Sequence, residues 1–399
     1  MRASSEGSRK SRVIQPDDRL VKSRPLGVRR PRALPSRPLG RDQPSGPLAD
    51  AERPEHSRPA RLLLRLGSAA FFGLLPVAGL YGVFDAIADD RVTPDFSLTY
   101  YRAAEAVLAG DRIYPTGELI ERGDYLIDYL YPPLTAFAVA PFTLLSAAAA
   151  ELVFASFLVL AFAATLAVLG VRDWRCYGLA FLWPPVLDAI QTENVTIFLG
   201  LAAALAWRFR DRPRVAGATL GISFAIKVLL WPLALWLAAT RRLSAASWSL
   251  LVAAALVITT WAIIGFEGLR DYPDLLRRSS EVQEDQSYTV YALALDLGAS
   301  ASVARALWLL LAGSVIALTV IAARRGDDRG TFVLAIAATI ACSPIVWLHY
   351  FALLPSLLRL RRRDSLRCGF WVCPCTCSSR PECTTARRSR PRRCWARRH

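Results

Sequence analysis

Residues 214–242 read RVAGATLGISFAIKVLLWPLALWLAATRR. Two apolar runs, 215–226 and 228–240, meet at one charged residue, Lys227, and arginines close both ends. A helix needs about 20 apolar residues to cross a bilayer, and neither run has them. Basic residues beside a span favour the cytoplasmic side. The stretch therefore reads as a hairpin of two short helices whose tip, Lys227, lies at the opposite face. Short or broken helices persist in a membrane only where neighbouring protein satisfies the freed backbone. The hairpin thus calls for a bundle around it.

The rest of the chain supplies that bundle. It is 53% hydrophobic with a mean hydropathy of +0.30, which suits a membrane protein better than a soluble domain. Further runs without Asp, Glu, Lys or Arg cover 66–84, 129–150, 152–171, 176–187, 194–207, 243–266, 306–323 and 330–358. Arginines at 172 and 175, 208–214, 241–242, 324–329 and 359–363 mark the cytoplasmic side. Residues 85–128 carry 10 acidic and 4 basic side chains, and 267–305 carry 7 and 4. Both segments read as loops on the other face.

Parity fixes the remainder. Segment 62–84 runs outward, and 129–171 makes one net crossing. YPPLTAFAVAPFTLLS (131–146), interrupted by Pro132, Pro133 and Pro141, is then re-entrant or half-length. Two more hairpins have tips at QTEN (191–194) and SPIVWLH (343–349). The expected fold is all-α: a polytopic membrane helical bundle of about ten crossings with a helical extracytoplasmic first loop. It occupies residues 62–358, and the N-terminus is cytoplasmic.

The net charge of +16 belongs to the ends. Residues 1–61 carry 15 Lys and Arg against 7 Asp and Glu, residues 359–399 carry 13 against 2, and 62–358 sum to −3. No basic patch is organised on a folded surface, so nucleic acid is not an expected partner. Segment 1–61 is rich in Pro, Arg, Ser and Gly and reads as a disordered basic cytoplasmic tail. Six of the eight cysteines fall in 368–394, where Cys373, Cys375 and Cys377 alternate. That is not zinc spacing. The abrupt change to Arg, Cys, Ser and Pro reads as out-of-frame translation beyond about residue 365, so 359–399 is expected to differ in the true chain.

The outer face collects Asp95, Glu193, Asn194, Lys227 and His349 at helix ends and breaks. Ionisable groups at membrane depth are costly and usually line a cavity or pathway. Each also has a plain structural role open to it. Asp95 precedes FSLTYYRAAEAVLAG (96–110), a helix that Gly110 can end, and Asp is a good N-cap. Lys227 could snorkel to the interface, and His349 could be a satisfied structural histidine. Glu193 and Asn194 could satisfy a broken helix end, and Tyr131 could anchor the interface. There is no Gly-rich nucleotide loop and no His-Glu-x-x-His spacing, so neither a nucleotide nor a metal is expected.

PDFSLTYYRAAEAVLAGDRIYP (94–115), YLYPPLTAFAVAPFTLL (129–145) and CSPIVWLHYFALL (342–354) come in this order. Together they resemble glycosyltransferase family 87, of the GT-C class. The matching positions are Asp95, Tyr100, Gly110, Tyr114, Tyr131, Pro132, Pro133, Lys227, Ser343, Pro344, Trp347 and His349, and the resemblance spans about 62–358. One departure is TENV, which puts Glu193 where the family pattern has Gly.

The resemblance implies a plasma-membrane transferase with an extracytoplasmic site. It would move a hexose, mannose first, from a polyprenyl-phosphate donor to a glycolipid or glycan acceptor with inversion, without metal or cofactor. It makes Asp95 the catalytic base and assigns Lys227 and His349 to the donor phosphate. Tyr100, Tyr131, Asn194 and Trp347 would bind substrate. An arabinofuranosyltransferase of the same class, or a transporter of lipid-linked sugars, would use similar features.

Overall fold

The structure is a computed structural model, and it describes residues 58–92, 95–115, 129–283 and 287–357. Most of the basic N-terminal tail, the Cys-rich tail and the middle of the 85–128 segment lie outside the described residues. Among the described residues the chain is all helical, without a strand.

The first helix runs as α1 (Arg58–Ala69), a π turn (Ala70–Leu74) and α2 (Leu75–Ala88). A π turn (Phe96–Tyr101) leads into α3 (Arg102–Ala109), which ends at Gly110 in the left-handed conformation, φ +76°. Residues 96–109, within the expected first loop, are therefore helical. The proline-interrupted stretch forms α4 (Pro133–Val139) and a 3₁₀ turn (Ala140–Leu144), and α5 (Ala147–Val168) follows. Glu151 lies inside α5 rather than at its edge, because the prolines stop the preceding helix earlier than the charge does.

The middle of the chain is a set of short helices: α6 (Trp174–Phe181), α7 (Pro184–Gln191), α8 (Thr196–Arg208), α9 (Pro213–Ile226) and α10 (Pro232–Ala239). Then come α11 (Leu243–Ile263), α12 (Tyr272–Gln283), α13 (Val290–Asp296), α14 (Ala301–Arg324) and α15 (Asp328–Ala341), closed by a 3₁₀ segment (Leu348–Leu357).

Among the described residues, four helical stretches are long and apolar enough to cross a membrane: Leu62–Ala88, Ala147–Val168, Leu243–Ile263 and Ala301–Arg324. The other apolar runs form helices too short to do so alone. The two groups are placed differently. Three of the long stretches, Leu62–Ala88, Leu243–Ile263 and Ala301–Arg324, leave most of their residues unburied, as lipid-facing helices do. The short helices α8 and α9 bury Leu199, Ala203, Ala204, Ala206, Leu220 and Phe224. The short, broken helices thus form the interior, where neighbours can satisfy their ends.

Two features hold that interior. On α9, Gly217 and Gly221 lie against α11 so closely that a Cβ at Gly217 would stand 2.6 Å from the Ala245 carbonyl oxygen, and one at Gly221 2.7 Å from that of Ser249. Small residues four apart let membrane helices approach to backbone contact.

The second feature is an ion cluster on Asp328. Its carboxylate accepts hydrogen bonds from Arg242 (2.7 and 2.9 Å), Arg210 (3.1 Å) and the Trp236 indole (3.0 Å). Partial burial pushes that carboxyl up. The bonds from Arg242 and Trp236 and the two guanidinium charges outweigh burial, and they hold it below the usual carboxylate range. The cluster joins the α8–α9 turn, the end of α10 and the start of α15.

Candidate functional site

The far ends of the same helices enclose a cavity of about 1070 Å³. Its wall combines Asp95 and Thr99 from the first loop, Tyr131 before α4, Asp188 and Asn194 around the α7–α8 turn, and Lys227 before α10. The α12 side adds Tyr272 and Gln283, and Cys342 to Tyr350 complete it. The order of elements explains the convergence. α15 runs from Asp328 in the ion cluster to Cys342 at the wall, and α10 lies between Lys227 at the wall and Arg242 in the cluster.

Of the residues singled out by sequence, Asp95, Asn194, Tyr131, Lys227, Trp347 and His349 meet on this wall. Tyr100 stands behind it. It is fully buried, meets Tyr131 edge-on at 4.8 Å, and donates to the Tyr131 hydroxyl at 2.9 Å.

Asp95 departs from the capping role. Its backbone is already helical (φ −59°, ψ −26°), and its side chain caps no amide. Its own amide donates to the Thr192 carbonyl at 2.8 Å, which ties the first loop to the α7–α8 turn. The carboxylate accepts from Asn194 Nδ2 at 2.5 Å. The orientation of that amide is determined by its other end, because Asn194 Oδ1 accepts from the Thr196 amide (3.0 Å) and hydroxyl (2.6 Å). An oxygen must face those two donors, so the nitrogen faces Asp95.

The network continues through Tyr131. Its hydroxyl receives Asn194 Nδ2 at 3.3 Å and Lys227 Nζ at 3.4 Å. Tyr114 donates to the Tyr131 carbonyl at 2.7 Å and stacks on Trp261 with ring centres 4.9 Å apart. The backbone under Tyr131 is thereby fixed.

Lys227 sits where the chain leaves the helix, with φ −154° and ψ 122°. The Ile226 carbonyl freed by the break accepts from the Thr135 hydroxyl at 3.3 Å. The ammonium lies 4.5 Å from the ring centre of Tyr350 and 5.1 Å from that of Tyr131. Among the described residues no carboxylate lies within ion-pair distance of it. A cation held by phenol rings and hydroxyls, rather than by a carboxylate, remains free to receive an anion.

His349 is nine-tenths buried, with Nδ1 3.6 Å from Asp188 Oδ2 and Nε2 without a partner among the described residues. Glu193 is also buried, but it is not on the wall. Neither of its carboxyl oxygens has a partner among the described residues, and its backbone is left-handed at φ +52°. Only glycine adopts that conformation without cost, which is why the family pattern's Gly suits this turn better. Among the described residues no three His, Cys, Asp or Glu converge as metal ligands.

Asp188, Tyr272 and Tyr350 also line the cavity, beyond the residues that the sequence singles out. Asp188 carries a usable signal, since it is a carboxylate six residues before Asn194 on an otherwise uncharged helix.

A helical membrane protein with a carboxylate, an amide and an ammonium on one cavity wall has groups suited to a transfer reaction. The chain belongs to glycosyltransferase family 87, whose family model matches residues 129–355, more than half of the 399 residues. No curated protein and no solved structure matches it. It is a membrane glycosyltransferase. The family match begins at Tyr129, so Asp95 joins the site through its contacts with Asn194 and Thr192.

Proposed function

We propose that this enzyme transfers a hexose, mannose in the first instance, from a polyprenyl-phosphate donor to a hydroxyl of a glycolipid or glycan on the extracytoplasmic side. The observation that carries this reading is the shared cavity of Asp95 and Lys227, linked through Asn194 and Tyr131. Its volume of about 1070 Å³ is at the top of the range for small-molecule sites, roughly 300–1,000 Å³, and leaves space for a donor headgroup beside an acceptor sugar. Mannose is taken from the resemblance alone.

Asp95 is the general base in this mechanism. Asn194 holds one carboxylate oxygen, and the group takes the proton of the acceptor hydroxyl as that oxygen attacks the anomeric carbon. The bond from the anomeric carbon to the phosphate oxygen breaks through an oxocarbenium-like state, with inversion. The bonding pair moves onto the phosphate, which gains charge. Lys227 meets that charge, and a preorganised contact of this kind contributes roughly 3 kcal/mol, about 100-fold in rate.

The test is transfer from radiolabelled polyprenyl-phosphate mannose by membranes containing the full chain. Asp95→Asn should abolish transfer without loss of insertion, and Lys227→Ala should chiefly weaken use of the donor. Full activity in Asp95→Asn would refute the base. Cysteines placed at 95 and 227 should both react with an impermeant reagent from outside. A parallel panel of labelled arabinose donors reads the sugar directly, and transfer from those alone would overturn mannose.

A further inference from the structure

The wall contains one carboxylate without a role in the mechanism above. Asp188 sits on α7, a helix started by Pro184 and Pro185, one turn before the α7–α8 break. The 3₁₀ segment carrying His349 packs on the same helix, and the Trp183 indole donates to the Phe351 carbonyl at 3.4 Å. The two elements are therefore fixed relative to each other at the point where Asp188 Oδ2 comes within 3.6 Å of His349 Nδ1. Both residues line the cavity. Tyr350 stands edge-on to the imidazole, with ring centres 5.1 Å apart.

An imidazole has two distinct nitrogens, and the partner of one sets the state of the other. A carboxylate at Nδ1 holds a proton there. Nε2 is then the nitrogen left to serve the cavity, and it is the buried atom of this ring without a partner among the described residues. Burial of the ring opposes its charged form, as does the ammonium of Lys227, while the carboxylates of Asp188 and Asp95 favour it. A bound phosphate would add to the second side.

We propose that Asp188 is a positioning residue: it fixes Nδ1–H of His349 and favours the imidazolium, so that Nε2–H is donated to the phosphate of a lipid-linked sugar. This rests on the donor reading of the preceding section. In the transfer step the acceptor proton still goes to Asp95 and the bonding pair still goes to the phosphate oxygen. His349 adds a hydrogen bond to that oxygen and gains or loses no proton over the step. Asp188 touches neither substrate and acts through the ring.

The test uses the full chain carrying ¹⁵N-labelled histidine, with His56→Gln and His399→Gln so that His349 alone reports. The nitrogen spectrum is expected to show Nδ1 protonated. Addition of polyprenyl phosphate should move Nε2 to the protonated position, and Asp188→Asn should weaken both effects. A spectrum with Nδ1 bare and Nε2 protonated would overturn the proposal.

Kinetics supply a readout that a merely structural role would not move. Asp188→Asn should lower kcat/KM for the donor about tenfold in the wild-type background and less than about twofold in His349→Gln. Asp188→Glu should recover part of the loss. An equal loss from Asp188→Asn in both backgrounds would refute action through His349. Should no lipid-phosphate sugar support transfer at all, the donor reading falls, and the nitrogen spectrum still decides the pairing.

Discussion

Asn194→Asp is the sharpest perturbation of the site, because it changes one atom of the network. The new side chain keeps an oxygen for the two donors of Thr196, so its orientation is unchanged. Its second oxygen falls where Nδ2 now donates to Asp95 at 2.5 Å. A charge-assisted hydrogen bond, worth about 1.5–3 kcal/mol, is lost. In its place stand two carboxylates in contact, which cannot both ionise near neutral pH. The hydrogen bond alone corresponds to roughly a 10- to 150-fold loss in rate.

The shared proton adds a pH signature. It leaves only as pH rises, so the variant should regain rate through the alkaline range where the wild type is flat. Asn194→Ala removes the donor without adding a charge, and should be slow at every pH. The assay is single-turnover transfer from labelled donor between pH 6 and about 9, the window in which a pair of this kind releases its second proton. Thermal melts would show that both variants fold. A wild-type rate and pH profile for Asn194→Asp would refute the claim that this amide holds the base.

Three further outcomes follow from the packing. Gly221→Val should lower the melting temperature by the equivalent of at least 1–3 kcal/mol, since its Cβ would stand 2.7 Å from the Ser249 carbonyl and 2.7 Å from the Val252 Cβ; an unchanged melt would deny the close α9–α11 contact. Asp328→Asn should cost about 1–3 kcal/mol, between surface and fully buried ion pairs. The folded carboxyl is depressed, so its contribution is present above the unfolded carboxylate value, about 3.9, and is lost as pH falls through the folded value; a variant melt with the wild-type dependence on acid would contradict this. Glu193→Gln should leave transfer and melting temperature intact or raise the latter, because the carboxyl it replaces has no partner among the described residues; a clear loss of activity would show that the charged form is needed.

Several polar residues of the wall were legible in the sequence. Lys227 and His349 stand out because each interrupts an apolar run, and such interruptions are too costly to be casual, whereas Asp95, one of ten acidic residues in 85–128, is marked by its place before a helical pattern and by the family resemblance. Charge could not report how far each side chain reaches. Tyr100 and Tyr131 look alike in the chain, yet Tyr131 faces the cavity and Tyr100 lies behind it. Asp95 precedes a helical pattern as a cap would, but the helix begins one residue earlier and leaves its carboxylate to Asn194. Gly217 and Gly221 were passed over for a similar reason, since a spacing of four small residues acquires meaning only when α11 is laid across it.

Helix length separates two tasks in this bundle. Long helices such as α14 satisfy every internal backbone group themselves and can face lipid. None of their residues lines the cavity. Chemistry at membrane depth needs polar groups there, and these come from the breaks at 191–194, 227 and 342–350. Each break must then be satisfied by protein. Thr135 serves the carbonyl of Ile226, Thr196 serves the amide oxygen of Asn194, and Ser287 accepts the Val346 amide at 2.8 Å. A break satisfied by a fixed side chain holds its neighbour in place, and in this way the cost of interrupting a membrane helix becomes the means of positioning Lys227, Asn194 and His349 around one cavity.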